Sequence, residues 1–193
     1  MPGIIIFSGI LTFTGCKKAT VEFQGPQNPG FEEAGNSPYG FSAANWTSSY
    51  LGINCYGTKR LGGTGFMPTK GSWYMKVGAC AFSGGSGLRT EETSQEFVNF
   101  NHSTTMIFDY SVVGSNIGSG GSGKVEILFT SNGTVTLWSK TYAASSTPST
   151  QQLNERVTLP SLSDKGKLII RISYNLGTPA SNMTFDIDNI RVQ

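Results

Sequence analysis

Short stretches in which apolar and polar residues alternate recur along this 193-residue chain and restrict its fold more than any other feature. Residues 106–112, 125–129 and 168–174 are the clearest of them. A period of two places successive side chains on opposite faces of a β-strand. Glycine, serine, asparagine and proline separate the stretches, and no helical period competes with them. The pattern predicts an all-β protein in which antiparallel strands form a sandwich.

One turn is specified by its residues. Ser131, Asn132 and Gly133 lie between two alternating stretches, and Asn-Gly tolerates the positive φ angles of a type I′ turn. We therefore expect Lys124–Thr130 and Thr134–Lys140 to form an antiparallel hairpin.

The composition excludes several classes of function. Charged residues make up 13% of the chain, and 14 basic and 12 acidic residues are scattered to give a net charge of +2. This balance provides no electrostatic field for nucleic acid or for an anionic membrane. A single histidine and three cysteines without CxxC spacing do not fit a zinc site.

Catalytic signatures do not appear either. The sequence contains no GxSxG nucleophile elbow. A glycosidase needs two facing carboxylates, whereas Glu91 and Glu92 are adjacent and would point to opposite faces of a strand. The sequence therefore predicts a binding protein rather than an enzyme.

The first twenty residues predict export and a lipid anchor. The apolar run from Ile4 to Phe13 has about 10 residues, half of the roughly 20 that span a bilayer, and fits a secretory signal. The sequence LTFTGCKK at its end resembles the lipobox of bacterial lipoproteins. The resemblance implies a signal peptide at 1–15, lipidation of Cys16, a tether at 16–20 and one domain at 21–193. It also implies a lipid anchor at the bacterial outer membrane or cell surface. The alternative is a buried N-terminal strand.

The two remaining cysteines are predicted to form a disulfide. Cys55 and Cys80 would lie in an exported protein, where disulfides persist. The bridge would close a loop of about 25 residues and stabilise the fold by roughly 3 kcal/mol. Two buried free thiols are the alternative.

The two ends of the body carry a pair of signatures. NPGFEE stands at residues 28–33, ahead of Trp46, and FDIDNIRV stands at residues 185–192. Together they resemble the galactose-binding-domain-like jelly rolls of bacterial carbohydrate-binding modules, which open N-x-G-F-E…W and close F-x-I-D-D-V. The resemblance implies an antiparallel jelly-roll β-sandwich over residues 21–193, with polysaccharide or glycan as the partner.

The same resemblance implies a structural calcium ion. The family commonly binds it with the glutamate of G-F-E and the first aspartate of the terminal motif, here Glu32 and Asp188. Two carboxylates at a sheet edge repel each other unless a cation lies between them, and Ca²⁺ takes oxygen ligands. The alternative is that both carboxylates are solvated and that only Phe31 and Ile187 belong to the core.

Sugar recognition requires aromatic and hydrogen-bonding side chains that point away from the core. By alternation, Trp138 is a candidate for an exposed platform. The charged candidates Asp109, Glu126 and Arg171 occupy the polar phase of apolar strands, where they could line the outer face of one sheet. Tyr56, in a glycine-rich loop, completes the predicted ligand-binding set.

Three hypotheses follow for the function. The first is a non-catalytic, calcium-stabilised module that binds glycan at the bacterial surface. The second is a structural or adhesive β-sandwich that makes protein contacts without sugar. The third is an enzyme of unknown type, which a facing carboxylate pair in a cleft would favour. A groove that joins Trp138 to Asp109 or Arg171 would favour the first, and an apolar patch or open edge strands would favour the second.

Overall fold

The computed structural model describes residues 24–35, 42–48, 58–61, 66–79, 88–115, 121–143, 150–162, 165–175 and 182–193. These residues form ten β-strands and contain no helix. The strands are β1 (Thr47–Ser48), β2 (Thr58–Leu61), β3 (Trp73–Ala79), β4 (Leu88–Val98), β5 (Thr105–Ser115), β6 (Ser122–Thr130), β7 (Thr134–Ala143), β8 (Gln152–Thr158), β9 (Gly166–Asn175) and β10 (Asn182–Val192). Accordingly, no helix that could cross a membrane is found among the residues described.

The strands form two five-stranded antiparallel sheets. Sheet A has the order β1-β4-β9-β6-β7, and sheet B has the order β2-β3-β10-β5-β8. The chain changes sheet at every connection from β3 to β6 and again from β7 to β10. The expected antiparallel jelly-roll β-sandwich is therefore confirmed.

The core lies between the two sheets and is built from the inward phase of each strand. In β6 and β9 the alternation predicted from the sequence is the one observed, since every second residue from Val125 to Phe129 and from Leu168 to Tyr174 is at most 1% exposed. Fully burying an apolar side chain of this size contributes about 2 kcal/mol. The alternating pattern thus specifies which face of each strand is buried.

The predicted hairpin is present, although its turn has a different form. β6 and β7 are antiparallel partners, with Thr130 directly opposite Thr134. The connection has three residues and is closed by a bond from Ser131 N to Gly133 O of 3.1 Å. Neither Asn132 nor Gly133 has a positive φ, so the prediction of a type I′ turn is wrong. A two-residue type I′ turn requires positive φ at both central positions, which a three-residue loop does not.

The outer side of sheet B carries buried polar groups. Asp186 on β10 lies directly opposite Lys76 on β3 and opposite Ser111 on β5. The Lys76 ammonium contacts both carboxylate oxygens at 3.0 Å, and the Asp186 side chain is 2% exposed. This part of the outer side is therefore shielded from solvent. Asp109 and Asp188 lie further along the same strands on the same side.

Candidate functional site

The segment NPGFE forms a strained turn at the edge of the core. Phe31 N donates to Asn28 O at 3.0 Å, and both residues have a left-handed backbone with φ of 57° and 47°. Phe31 is fully buried, and its ring centroid lies 5.1 Å from that of Trp46. Burial of this ring offsets a backbone conformation that costs about 1 kcal/mol or more in a residue other than glycine. The turn thereby sets the position of the Glu32 backbone.

The Glu32 carboxylate is held by the loop that precedes β3. Its Oε1 accepts hydrogen bonds from Ser72 N at 2.9 Å and from Trp73 N at 2.7 Å. Gly71 follows Lys70 and lies two residues before β3. Its φ is +80°, and a Cβ there would clash with the Glu32 carboxyl carbon. Only glycine satisfies both the positive φ and this close approach.

Asp188 lies on β10 under the same loop and is fully buried. Its Oδ2 accepts from Thr69 N at 3.0 Å and Lys70 N at 3.5 Å, and its Oδ1 accepts from Asn189 N at 2.7 Å. Burial raises the pKa of Asp188 to about 6, against the lowering effect of these three backbone N–H groups. The nearby charge of Asp109 raises the same pKa further.

Glu32 and Asp188 meet around Gly30. A Cβ on Gly30 would lie 3.6 Å from Asp188 Oδ1, 3.6 Å from the Lys70 carbonyl oxygen and 4.0 Å from Glu32 Cγ. This approach does not come from pairing of the first and last strands. Instead, β10 lies between β3 and β5, and Ile190 N donates to Pro29 O at 3.1 Å.

The donor set around Gly30 suits a hard cation. Two carboxylates and a backbone carbonyl are ligands that Ca²⁺ accepts. No group of three or more His, Cys, Asp or Glu that could hold a metal occurs in the described ranges, so further ligands would be neutral oxygens of the backbone, of side chains or of water. A cavity of about 410 Å³ adjoins the turn. It is lined by Gln27, Asn28, Pro29, Gly30, Glu32, Glu33, Asn45 and Lys70.

Asp109 belongs to this buried region and not to an open binding face. It lies opposite Asp188 across β5 and β10 and is 1% exposed. Its Oδ1 accepts from Asn154 N at 2.6 Å, and its Oδ2 accepts from Thr69 Oγ1 and from Asn189 Nδ2, the latter at 3.1 Å. The carboxylate therefore ties three segments together on the outer side of sheet B.

Glu126 and Arg171 lie on the other sheet. They are direct partners across β6 and β9 on the outer side of sheet A. Arg171 binds Glu92 Oε2 through both Nε and Nη2 at 3.0 Å, and Lys124 contacts Glu126 at 2.6 Å. The expectation that Asp109, Glu126 and Arg171 line one face is wrong, because alternation along a strand does not reveal which sheet the strand joins.

Trp138 points inward, contrary to the outward orientation expected from alternation. The β6–β7 register shifts between Ile127 and Leu128, which are paired with Trp138 and Thr136. Leu137 is thus an extra residue, and the resulting bulge puts Trp138 on the same side as the buried Ile127. A single bulge reverses the phase that the sequence pattern implies.

The indole of Trp138 lies where β7 approaches β8. Its ring is half-buried and packs against Tyr110, Phe108 and Phe185, with centroid distances of 4.9, 5.2 and 5.9 Å. Its Nε1–H donates to Glu155 Oε1 at 3.0 Å. The ring contacts and the hydrogen bond to Glu155 together fix the orientation of the indole.

Polar groups surround the accessible edge of this ring. Lys140 Nζ lies 5.7 Å from the Trp138 centroid and 5.2 Å from that of Tyr110, and it contacts Glu155 at 3.9 Å. It also donates to the Tyr110 hydroxyl at 2.5 Å. We call Tyr110, Trp138, Lys140, Tyr142 and Glu155 the Trp138 cluster.

The two tyrosines of the Trp138 cluster are hydrogen-bonded to each other. Burial raises the pKa of both hydroxyls, and for Tyr142 the neighbouring Tyr110 raises it further. Both therefore stay protonated at neutral pH and act as hydrogen-bonding groups. The spacing of two residues puts Lys140 on the same side of β7 as Trp138, whereas no local signal in the sequence identifies Glu155, which comes from the other sheet.

The other predicted site residues fall outside the described part of the chain. These are Cys16, Cys55, Tyr56 and Cys80. Their predicted roles in lipidation, disulfide formation and ligand binding stay predictions.

Comparisons with known proteins identify the fold. The sequence matches no protein-family model and no curated protein. Among solved structures, TmCBM61 in complex with β-1,4-galactotriose has a TM-score of 0.50 at 14% identity, over 89% of this chain and 99% of that one. The K2 cleaved adhesin domain of Lys-gingipain gives 0.48 at 13% identity, over 86% and 96% of the two chains. The module CBM28, specific for non-crystalline cellulose, gives 0.43 at 9% identity, over 75% and 95%. The likeness to TmCBM61 shows that the two chains share a β-sandwich fold.

Proposed function

We propose that this protein is a non-catalytic module that binds glycan, with the Trp138 cluster as the contact site. The observation that carries the proposal is the juxtaposition of a fixed, partly accessible indole with an ammonium and a carboxylate where β7 approaches β8. A pyranose presents an apolar C–H face and a rim of hydroxyl groups. An aromatic ring with a few placed polar groups matches both.

Each polar member of the cluster has a separate task in this proposal. Lys140 donates to sugar hydroxyl oxygens, and Glu155 accepts from sugar hydroxyl hydrogens. Their side chains are 45% and 27% exposed, so both are accessible to a ligand. The indole N–H held by Glu155 keeps the ring from rotating, which reduces the ordering cost on binding.

Binding without catalysis fits the chemistry of the same groups. Hydrolysis of a glycosidic bond needs one carboxyl group as acid and a second as base or nucleophile. The cluster has one carboxylate, Glu155, and its two tyrosines have raised pKa values that disfavour the phenolate. We therefore assign the cluster to recognition.

We further propose a structural calcium ion held by Glu32, Asp188 and the Lys70 carbonyl. Support comes from the convergence of Asp188 Oδ1, the Lys70 carbonyl oxygen and Glu32 Cγ within 4.0 Å of the Cβ position of Gly30, and from the buried carboxylate of Asp188. When bound, the ion would neutralise the charge that burial disfavours. Its role would be to tie the loop before β3 to β10, and not to act on a substrate.

The remaining proposals concern export, anchoring and the three cysteines. We propose export, lipidation at Cys16, anchoring at the bacterial outer membrane or cell surface and a Cys55–Cys80 disulfide. Their support is the lipobox-like sequence and the pair of cysteines left once Cys16 is assigned. Mass spectrometry of membrane-extracted protein tests them together. An intact Met1 or two alkylatable thiols would contradict the respective proposal.

Binding is tested with the full chain in detergent, first on a glycan array in the presence of Ca²⁺ and then by calorimetry with the best oligosaccharide. Lys140→Ala and Glu155→Gln should each weaken binding about tenfold or more, since each removes a charged hydrogen bond. Lys124→Ala, on the outer side of sheet A, is the matched control and should bind like the wild type. Binding to no glycan would overturn the proposal in favour of an adhesive β-sandwich.

A further inference from the structure

The aromatic side chain of Phe97 is exposed to solvent at a bulge of β4. The β4–β9 register shifts between Gln95, which faces Leu168, and Val98, which faces Gly166. Phe97 lies within this irregularity, with φ +59° and 83% exposure. Bulges redirect side chains, and here the redirected side chain is an aromatic ring.

Nothing in the packing of Phe97 offsets its backbone strain. Phe31 is the other aromatic residue with positive φ among those described, and it is fully buried. The remaining non-glycine residues with positive φ in the described ranges are asparagines and His102, which tolerate this conformation better. An exposed phenylalanine costs conformational energy without gaining burial, and strain retained in this way marks candidate functional positions.

A small polar cavity adjoins the ring. Its volume is about 130 Å³, and its lining includes Phe97, Gln27, Gln95, Asn99 and Lys165. A single water needs roughly 10 to 15 Å³ by this kind of measure, so the space admits a group larger than water. It is of a size to take a hydroxymethyl group.

The amides of this cavity are held in place. Gln95 is 3% exposed, accepts from Gln27 N at 2.6 Å and donates to Gln27 O at 3.0 Å. Asn99 is 5% exposed, and its Oδ1 accepts from Asn101 N at 2.9 Å. A primary amide has two N–H donors and an oxygen with two lone pairs, so Gln95 retains capacity beyond these two bonds. Preorganised polar groups beside an aromatic face are what selective binding of a hydroxylated ring requires.

We propose that Phe97 and this cavity form a second glycan-contact site. A pyranose ring stacks on Phe97 while a hydroxymethyl or hydroxyl group enters the cavity and bonds to Gln95 and Asn99. The proposal rests on the proposed glycan-binding function and adds a site to it. A sugar suits the site better than a protein surface, because amides rather than apolar side chains line the adjoining space.

The second site would make the protein bivalent toward a polymer. Phe97 is on β4 and Trp138 is on β7, and β9 and β6 separate these strands in sheet A. Strands lie about 4.8 Å apart, so the two sites cannot hold one sugar residue together. A polysaccharide that reaches both would be retained more strongly than a short oligosaccharide, without any new contact.

The test compares Phe97→Ala, Phe97→Trp and Phe97→Gly with the wild-type full chain. Readouts are retention on the polysaccharide identified by the array, calorimetric binding of its oligosaccharide, self-association by light scattering, and the melting temperature. We expect Ala and Gly to lower polysaccharide retention at least tenfold, and Trp to preserve it. Gly should also raise the melting temperature by about 2 °C, because it relieves the positive φ. Leu88→Ala changes an exposed residue of the same strand outside the cavity, and should bind normally.

The outcomes separate this inference from the proposed function. If the wild type binds sugar and Phe97→Ala binds it equally, the second site is wrong and the Trp138 cluster stands. If Lys140→Ala keeps binding and Phe97→Ala loses it, the second site stands alone. If Phe97→Ala loses self-association in place of sugar binding, the ring is a protein contact and the inference is overturned.

Discussion

The charged residues on the outer sides of the two sheets have opposite environments. On sheet A, Arg171 pairs with Glu92 through side chains that are 31% and 30% exposed. On sheet B, Asp109 and Asp188 are at most 1% exposed. Asp188 accepts three hydrogen bonds from backbone N–H groups, and Asp109 accepts one from a backbone N–H group and two from side chains. Arg171, Asp109 and Asp188 each occupy the polar phase of an apolar strand. The comparison indicates that the contribution of a charged residue to stability depends on whether a loop covers its face of the sheet. The alternation of polar and apolar residues does not determine that contribution.

The largest effect should come from removing a covered carboxylate. Asp109→Ala leaves Asn154 N–H, the Thr69 hydroxyl and the Asn189 amide without their acceptor, and we expect a loss of about 3 kcal/mol in the free energy of unfolding. Urea denaturation measures it. Asp109→Asn keeps an acceptor oxygen and should cost less. A loss below 1 kcal/mol would mean that this face behaves like sheet A.

The pH dependence tests the same contrast through Asp188. Its pKa of about 6 in the folded protein exceeds the ordinary 3.8, so the folded state binds the proton more tightly than the unfolded state. The stabilisation is complete below pH 3.8 and is lost as the pH rises through 6. Between pH 4 and pH 7 in EDTA, Asp188 should account for a decrease of about 2 kcal/mol.

Denaturation of wild type and Asp188→Asn at the two pH values isolates this contribution. The variant should lose that part of the pH slope, whereas Glu126→Gln on sheet A should retain it. Added Ca²⁺ should oppose the decrease in the wild type, because a cation favours the ionised carboxylate. Equal slopes in wild type and Asp188→Asn would contradict the assignment, and a melting temperature that is the same in Ca²⁺ and EDTA would contradict the cation site.

The covering loop itself can be perturbed at Gly71. Gly71→Ala forces a Cβ toward the Glu32 carboxyl group at φ +80°, and we expect a loss of about 1.5 kcal/mol in thermal or urea denaturation. Gly133→Ala is a matched control, since nothing lies within 4 Å of its added Cβ. A Glu32→Ala background should recover the steric part. Equal losses at Gly71 and Gly133 would rule out a tight loop over Glu32.

The smallest effect is expected on sheet A. Arg171→Ala breaks the pair with Glu92 where both side chains reach water, and should cost about 0.5 kcal/mol or less. Raising the salt concentration should reduce even that difference in urea denaturation. A loss above 2 kcal/mol would show that the outer side of sheet A is as strongly organised as that of sheet B.

The sequence was sufficient to predict the sandwich, the inward residues and the place of the hairpin, because these depend on a local period of two. The shared cation site of Glu32 and Asp188 rests on a motif resemblance and stays a prediction. The sequence was insufficient for Asp109 and Trp138. The sheet to which a strand belongs is a long-range property, and the bulge at Leu137 arises from pairing with β6, which leaves no trace in the alternation.

The buried pair of Lys76 and Asp186 has a consequence for how the chain finds its pairing. The two residues are direct partners across β3 and β10. Sliding β3 by one residue would turn the ammonium toward the space between the sheets and bring Met75 to the outer side. Such a mispaired state would leave a buried carboxylate without its countercharge, which is more costly than losing an apolar contact. The ion pair therefore makes this shifted register less favourable than the native one.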